Sequence, residues 1–537
     1  MRSCVQHLLR FGLLLAICCH AFSVYAAEDA AATSYDAIRE KIDALLLERI
    51  NEANADVAPH SNDAEFLRRV YLDLSGQVPT VSAVRDFLHN DEPNKRAKLI
   101  DRLLSSPKTF DHLAEVWRKS MLPMDASPLV LQNSAGFHGW LRKRFSDNLR
   151  YDRIVSDLVA ATGTDRDGPA LFFTALELEP KKLASATSRI FLGLQLECAE
   201  CHDHPFDDWT QEEFWGYAAF FARLPKNNGM APNMGSVRLV DRADGEVTLP
   251  DTEEVVLPKF PGGRQVDPNE AGTRRQQLSI WMSSRENPYV ARAAANRVWA
   301  LLFGRGLVDP VDDLGPHNPA SHPELLELLT NYFIDTDYDL RNLLRTLCNT
   351  QAYQRTSRVD PANVPSRDLF AAMTVKVLSA EQIYDSLRST LSQTPVYDQP
   401  ELVNFAPAGI DFRRQQFIAQ MMGRSASAEE YDRGLQQALR LMNGNEIEGA
   451  TNIEQSPLLK SLRAPFFTDQ QRIDIVYLAT VSRYPSEDER KRMEGFLLAS
   501  NDAADGTEEA VSEGFAEKAR ADVLWALLNS AEFALNH

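Results

Sequence analysis

Apolar residues recur at helical spacing along most of the chain, and glycine, proline and hydroxyl side chains mark where those segments end. The apolar stripe from Leu67 to Leu74 stops at Ser75-Gly76, where glycine favours a left-handed helix end. Pro79-Thr80 then offers an N-cap for the next helix. This pattern predicts consecutive α-helices over residues 35–224 and again over residues 272–537.

Residues 225–271 differ from both helical runs because prolines and glycines interrupt them at short intervals. Within them, Val237–Val240 and Glu246–Leu249 flank Asp244-Gly245, a turn pair that favours a hairpin. The expected fold is therefore mainly α, with two helical domains (residues 35–224 and 272–537) joined by a short connector that contains a β-hairpin.

Two segments also have the Ser-x-x-Glu spacing of a capping box. They are Ser321 with Glu324 and Ser486 with Glu489. In a capping box each side chain accepts a backbone N–H of the other residue, so each pair predicts the start of a helix.

The first 26 residues are typical of a secretory signal and not of a folded segment. Arg2 and Arg10 make the start positive, Phe11–Cys19 is a short apolar run, and Val24-Tyr25-Ala26 fits the small-residue cleavage rule. The apolar run is about half as long as a membrane-spanning helix requires. We therefore expect residues 1–26 to direct export, and the mature chain, without a transmembrane segment, to act in the periplasm or cell envelope.

The composition is acidic, with 57 Lys and Arg against 76 Asp and Glu, a formal charge of -19 at pH 7. Removal of residues 1–26 takes away Arg2 and Arg10 and moves the charge to -21. Nucleic acid and anionic membranes both require a concentrated basic surface, so this balance argues against them as partners. An acidic surface mostly serves solubility, and it is compatible with a cationic protein partner.

Three of the six cysteines lie within residues 1–26, which leaves Cys198, Cys201 and Cys348. An exported protein stabilised by disulfides usually carries a larger, even set. Cys348 lies in a helical pattern and is interpreted as a small buried hydrophobe. The candidate chemistry therefore lies in Cys198-Ala199-Glu200-Cys201-His202.

The Cys-x-x-Cys-His pattern is that of c-type haem attachment. Cys198 and Cys201 would form the two thioethers to haem c, and His202 would be the axial ligand of the haem iron. Export is consistent with this, because bacterial c-type haem is attached outside the cytoplasm. Eight nearby aromatic residues are expected to wall the macrocycle: Phe191, Phe206, Trp209, Phe214, Trp215, Tyr217, Phe220 and Phe221.

Other uses of the same cluster stay open. A zinc ion would be held by Cys198, Cys201, His202 or His204, and Asp207, since mixed Cys/His ligation is normal for zinc. A local disulfide between the two cysteines is a further alternative, although it leaves the histidine unexplained.

The sixth ligand of a haem iron is also open. Met230 and Met234 follow the motif, and His317 or His322 would come from the second helical run. An unfilled position would bind a small molecule or peroxide. The chain has no Gly-x-Ser-x-Gly, His-Glu-x-x-His or phosphate-loop motif, and Asp312-Asp313 is interpreted as a solvated loop pair. Whether the protein is an enzyme is not decided.

Several segments resemble a known family, the second-type planctomycete cytochrome-associated family (PSCyt) followed by its PSD companion domain. The PSCyt resemblance is carried by Arg69–Gly76, Pro79-Thr80, Phe191-Leu192-Gly193, Cys198–Asp207 and Trp209-Thr210-Gln211. The PSD resemblance is carried by Asn296-Arg297-Val298-Trp299, Phe303–Val308, Ser321–Leu326, Leu435–Leu439 and Leu524–Ser530. The resemblance implies a large exported protein of a family whose biochemical role is not established.

Together these features favour an exported c-type-haem-binding protein. It would act in electron transfer or as a redox accessory, with an unknown envelope redox or protein partner. The alternative is a non-redox structural or binding module of the envelope, whose Cys/His cluster holds zinc or a local disulfide.

Overall fold

The computed structural model describes residues 35–123, 128–164, 168–225, 238–263, 265–266, 271–391, 412–422, 444–502 and 509–537. The predicted export signal, residues 1–26, lies outside the described residues, as do Met230 and Met234. The described part is mainly α-helical, as the sequence predicts, and its strands form only two-stranded sheets. No helix among the described residues is long and apolar enough to cross a membrane.

The α-helices of the first run follow one another closely along the chain. They are residues 35–52 (α1), Asp63–Ser75 (α2), Val81–Leu88 (α3), Lys95–Leu104 (α4), Pro107–Met121 (α5), Pro128–Ser146 (α6), Tyr151–Val159 (α7), Ala170–Ala175 (α8), Pro180–Thr187 (α9) and Gln211–Ala218 (α10). A π-helical turn, Ser188–Leu192, follows α9, and 3-10 turns occur at Leu196–Ala199 and Ala219–Phe221.

The second run begins after the connector and continues to the last helix. Its α-helices are Arg274–Met282 (α11), Val290–Phe303 (α12), Pro323–Asp335 (α13), Leu340–Cys348 (α14), Gln351–Gln354 (α15), Ala380–Leu391 (α16), Phe412–Met422 (α17), Asn445–Thr451 (α18), Pro457–Ser461 (α19), Asp469–Val481 (α20), Glu487–Asp502 (α21), Glu509–Leu528 (α22) and Ala531–Ala534 (α23). A 3-10 turn lies at Arg367–Leu369.

Local signals at the ends of α2 and α3 are confirmed. Gly76 closes α2 at a φ of 69°, and its N–H donates to the Leu72 carbonyl. Thr80 caps α3 by accepting the Ala83 amide at 3.3 Å. Both ends are fixed by contacts within one helical turn, which a sequence pattern can capture.

Of the two predicted capping boxes, one is confirmed and one is wrong. The Glu489 amide donates to Ser486 Oγ at 3.3 Å, and the Ser486 amide donates to Glu489 Oε2 at 2.8 Å. Ser321 instead donates both its N–H and its hydroxyl to the Leu307 carbonyl, so α13 begins one residue later than a Ser321 cap would place it. A tertiary contact has replaced the local one.

Within the described ranges, six short strands form three antiparallel pairs. Gly163–Thr164 (β1) pairs with Arg238–Leu239 (β2), Val247–Thr248 (β3) with Val255–Val256 (β4), and Lys376–Val377 (β5) with Leu535–Asn536 (β6). The connector does contain a hairpin, β3–β4, but the predicted pairing of residues 237–240 with residues 246–249 is wrong.

The cause of this different pairing lies beside β2. Arg275 is fully buried and donates to Asp241 at 2.8 and 2.9 Å. The same guanidinium donates to the carbonyls of Val159 and Ala161 at the end of α7. The chain after β2 is therefore tied to α7, so β2 lies next to β1 and not next to β3.

The main hydrophobic core draws on both helical runs. Trp117 and Phe191 of the first run and Trp299 and Leu343 of the second belong to one cluster, and none of them is more than 1% exposed. The boundaries of the two domains remain a prediction from the sequence. The apolar contacts of the core join residues from both sides of those boundaries.

Four charged side chains of α2, Glu65, Arg68, Arg69 and Asp73, are almost completely buried, and we call them with their partners the buried polar seam. Arg68 donates to the backbone carbonyls of Thr480 at 3.0 Å and Phe533 at 2.9 Å. These bonds join the start of the chain's first run to its last helices, and they satisfy donors that would be costly to bury alone.

The other charged members of the buried polar seam are also bonded. Arg69 forms an ion pair with Glu65 at 2.7 Å. Asp73 accepts the Tyr353 hydroxyl at 2.8 Å and the Asn536 side-chain amide at 2.7 Å. Each buried charge therefore has several polar partners, as a stable interior requires.

Candidate functional site

The chain enters the Cys-x-x-Cys-His motif through α9, the π-helical turn Ser188–Leu192 and Gly193, and the 3-10 turn Leu196–Ala199 then carries Cys198. Gly193 has a φ of 68°, and a Cβ there would lie 2.4 Å from Leu314 Cδ1. Its carbonyl accepts the Leu314 amide at 2.8 Å. Only glycine fits this position, and a loop of the second helical run fixes where the motif begins.

Both motif cysteines are exposed and carry free thiols, whereas Cys348 is fully buried, as predicted. Partial burial and the negative charges of Glu197 and Asp313 raise the pKa of Cys198. A raised pKa keeps the thiol protonated at neutral pH, whereas a nucleophilic or disulfide-exchanging cysteine needs a thiolate. Both thiols are therefore accessible to a covalent partner, and that of Cys198 is protonated at neutral pH.

The imidazole of His202 is exposed, and its Nδ1 lies 2.7 Å from the carbonyl oxygen of Asp203. Because a carbonyl can only accept, Nδ1 must carry the hydrogen of this bond. The neutral ring then has its lone pair on Nε2. Histidines that bind a metal usually donate their other ring N–H in this way, so His202 already has the tautomer of a ligand.

Helix α10 holds the backbone of the motif in place. The Gln211 amide donates to Asp203 Oδ1 at 2.9 Å. The Glu200 carbonyl accepts both the Gln211 side-chain amide at 3.2 Å and Trp215 Nε1 at 3.1 Å. These bonds fix the chain on both sides of Cys201 and His202, while the thiols and the imidazole remain at the surface.

The alternative zinc ligands are engaged elsewhere. His204 Nδ1 accepts the Phe206 amide at 3.2 Å, which places the proton of the neutral ring on Nε2. Asp207 Oδ1 accepts the Asp208 amide at 2.8 Å, and its Oδ2 lies 3.8 Å from His317 Nδ1. Within the part of the chain that the structure describes, no group of three or more His, Cys, Asp or Glu side chains is arranged to hold a metal ion.

A segment of the second run, which includes Asp312, Asp313 and His317, forms the neighbouring wall. Arg189 pairs with Asp312 at 2.9 Å, and His317 Nε2 lies 3.0 Å from Asp313 Oδ1. Asp312 and Asp313 do lie in a loop, but their side chains are 18% and 14% exposed, so the pair is only partly solvated. Sequence reasoning missed them because Arg189 and Asp312 are 123 positions apart.

Two family models match this chain. PSCyt2, a protein of unknown function (DUF1549), matches residues 41–226, and PSD1, a protein of unknown function (DUF1553), matches residues 274–433. Together they span more than half of the sequence, in the order that the sequence resemblance implies. The chain belongs to the PSCyt2–PSD1 family. No curated protein and no solved structure matches it.

The aromatic surround of this PSCyt2–PSD1 protein differs from the expectation. Five of the eight side chains are at most 1% exposed and lie in the hydrophobic core: Phe191, Phe214, Tyr217, Phe220 and Phe221. Phe206 is 78% exposed, and Trp209 and Trp215 are half-buried. Four of the five lie in α10 and the 3-10 turn that follows it, on a face that packs inward. Three of the eight aromatic side chains therefore remain near the surface of the motif.

His317 and His322, the two histidines of the PSD1 region that are candidates for a sixth ligand, both have other contacts. His317 lies between the carboxylates of Asp207 and Asp313. His322 is 3% exposed, its ring centroid is 5.7 Å from that of Phe370, and burial lowers its pKa to about 4. Packing explains the position of the His322 ring, and contacts with two carboxylates explain that of His317.

Proposed function

We propose that this PSCyt2–PSD1 protein binds one c-type haem through Cys198, Cys201 and His202. The observation that carries the proposal is the hydrogen bond from His202 Nδ1 to the Asp203 carbonyl, which leaves Nε2 as the ligating nitrogen. Both thiols of the motif are exposed and free, as attachment requires. The two cysteines would hold the porphyrin through thioethers, and His202 would bind the iron.

A bound haem supplies a one-electron redox couple, and the residues around the motif determine which redox partners can approach it. The exposure of Cys198, Cys201 and Phe206 supports a haem held at the protein surface and not in a closed pocket. An exposed edge suits electron exchange with a partner. We therefore propose electron transfer, or a redox accessory role, in preference to chemistry on a sequestered substrate.

The charges around the motif favour a basic partner. Asp203, Asp208 and Glu212 are exposed on the segment that runs from the motif into α10. The whole chain carries a formal charge of -19. Opposite charges steer association and make its rate fall with ionic strength, so the proposed envelope partner presents a cationic face.

Export belongs to the same proposal. Residues 1–26 have the pattern of a secretory signal, and bacterial c-type haem is attached outside the cytoplasm. The proposed location is therefore the periplasm or cell envelope.

The test is expression of the full chain together with c-type haem attachment machinery. The expected result is a Soret band and a haem stain that remains on the polypeptide after denaturation. The double variant Cys198→Ser/Cys201→Ser should lose the covalent stain. Cys348→Ala is the matched control, because that thiol is buried in the core and should not affect attachment.

A correctly processed protein without any haem stain would overturn the proposal. Stoichiometric zinc in that protein, measured by elemental analysis, would favour the alternative of a non-redox envelope module. Mass spectrometry showing a closed Cys198–Cys201 disulfide and no metal would favour the same module with a local disulfide.

A further inference from the structure

A polar cavity of about 300 Å³ lies far from the motif in sequence and is built from both helical runs. The end of α2, at Ser75 and Gly76, forms one side. Helices α5 and α6 provide a second side, and α16 and α17 complete it. A volume of this size is at the lower end of the range for small-molecule sites.

The two most buried carboxylates of this cavity are already neutralised. Glu115 forms an ion pair with Arg118 at 2.5 Å. Burial alone would raise the pKa of Glu115, but the adjacent cations, Arg118 foremost, lower it to about 2. Glu381 is paired with Lys119. Neither carboxylate needs a cation from solution.

The two remaining carboxylates of the wall are also paired. Asp385 receives two hydrogen bonds from Arg414, at 2.9 and 3.1 Å. Asp111 is paired with Arg142. A cationic ligand would therefore have to displace one of four existing ion pairs before it gained a carboxylate.

The groups without a partner have the opposite character. Among the described residues, the Lys108 ammonium makes no ion pair or side-chain hydrogen bond, and His112 Nε2 is buried with no hydrogen-bond partner. Burial lowers the pKa of His112 to about 4, so the ring is neutral at pH 7 and can donate one N–H. His138 Nε2 donates to the Asp111 carbonyl at 3.2 Å.

The backbone adds further positive potential. Lys108 lies in the first turn of α5, and Ser379, Glu381 and Gln382 lie at the start of α16. The N-terminal end of a helix carries a partial positive charge and favours anions. The opposing C-terminal carbonyl of Leu72 already accepts both the Gly76 amide and the Gln382 side-chain amide. These two hydrogen bonds partly offset the negative partial charge of the Leu72 carbonyl oxygen.

We propose that this cavity binds a small oxyanion, carried as a carboxylate, phosphate or sulfate group, with Lys108 as its charged anchor and His112 as a neutral hydrogen-bond donor. The four carboxylates of the cavity are already in ion pairs. An anion is therefore the ligand that can gain new contacts without breaking an existing pair. Two helix N-termini reinforce the same sign of charge. The proposal does not depend on haem at Cys198 and Cys201.

Isothermal titration of the mature full-length protein with sodium phosphate, sodium sulfate and sodium malonate, at ionic strength held constant with sodium chloride, tests this site. The wild type should bind at least one of the three. Lys108→Gln should weaken that binding by about tenfold, the effect of losing one charge-assisted hydrogen bond. Lys143→Gln is the matched control, because Lys143 is an exposed α6 residue with a 68% exposed side chain.

The pattern of binding distinguishes the ligand sources. Binding of phosphate or sulfate without malonate supports a tetrahedral oxyanion, and binding of malonate alone supports an organic acid. Binding of none of the three would overturn the proposal. Equal weakening by Lys108→Gln and Lys143→Gln would also overturn it, because the effect would then be one of net charge.

Discussion

The buried polar seam of α2 and the Cys-x-x-Cys-His motif are both rich in polar groups, yet their surroundings are opposite. In the seam, Arg69 is 1% exposed and its guanidinium donates to carbonyls and to Glu65. In the motif, Cys198, Cys201 and His202 are exposed, and among the described residues their side chains make one hydrogen bond, from His202 to the adjacent Asp203 carbonyl. The charged side chains of the seam are bonded to partners inside the fold, whereas the thiols and the imidazole of the motif remain available to other partners.

This difference separates residues that hold the fold from residues that are free to act. A buried charge with several partners is costly to disturb, because its partners lose their bonds as well. An exposed thiol held by a well-supported backbone can change with little effect on folding. Function is therefore expected at the motif and stability at the seam.

The largest expected effect is that of Arg69→Met. Removing the guanidinium leaves Glu65 buried without its cation and leaves the Tyr353 and His537 carbonyls without a donor. The free energy of unfolding should fall by about 3–5 kcal/mol, as for other broken buried pairs. Urea unfolding followed by circular dichroism measures this loss.

The matched control is Arg49→Met, since Arg49 pairs with Glu52 in an exposed helical position. Its effect should stay within about 0.5 kcal/mol. If both variants lost the same amount of stability, burial would not be the cause, and the contrast between seam and surface would fail.

The next effect compares two histidines as the pH falls. Burial lowers the pKa of His322 to about 4, whereas the unfolded chain binds a proton near pH 6.5. Between these values the unfolded state binds more protons, so the stability present above pH 6.5 is lost as the pH falls towards 4. Between pH 7 and pH 5, His322 should therefore lower the free energy of unfolding by about 2 kcal/mol.

His322→Gln should remove that share of the pH dependence of the unfolding free energy. His202→Gln, measured in protein without haem, is the comparison, because the His202 ring is exposed in the folded chain. A pH profile of His322→Gln that matches the wild type would show that its burial does not control its protonation.

The sequence predicts features that depend on local contacts and misses features that depend on distant ones. The end of α2 at Gly76 and the start of α21 at Ser486 depend on neighbours within four residues, and both are confirmed. The capping box at Ser321 and the pairing of β2 are wrong, because Leu307 and Arg275 supply stronger tertiary partners.

The motif shows the same limit. Its residues are evident in the sequence, because the spacing of Cys198, Cys201 and His202 is itself the signal. The wall formed by Asp312 and Asp313 is not, since no pattern relates it to Arg189 before the chain is folded. The proposed anion site is equally hidden, because Lys108 and Arg414 line one cavity only in the folded molecule.

The smallest expected effect completes the contrast. In protein without haem, Cys198→Ser/Cys201→Ser should change the free energy of unfolding by no more than about 0.5 kcal/mol, because both side chains are exposed and unpaired. Urea unfolding alongside Arg69→Met puts the two regions on one scale. A loss of several kcal/mol from the double serine variant would mean that the thiols take part in folding. The motif would then belong with the seam, and its exposure would no longer mark it as the acting region.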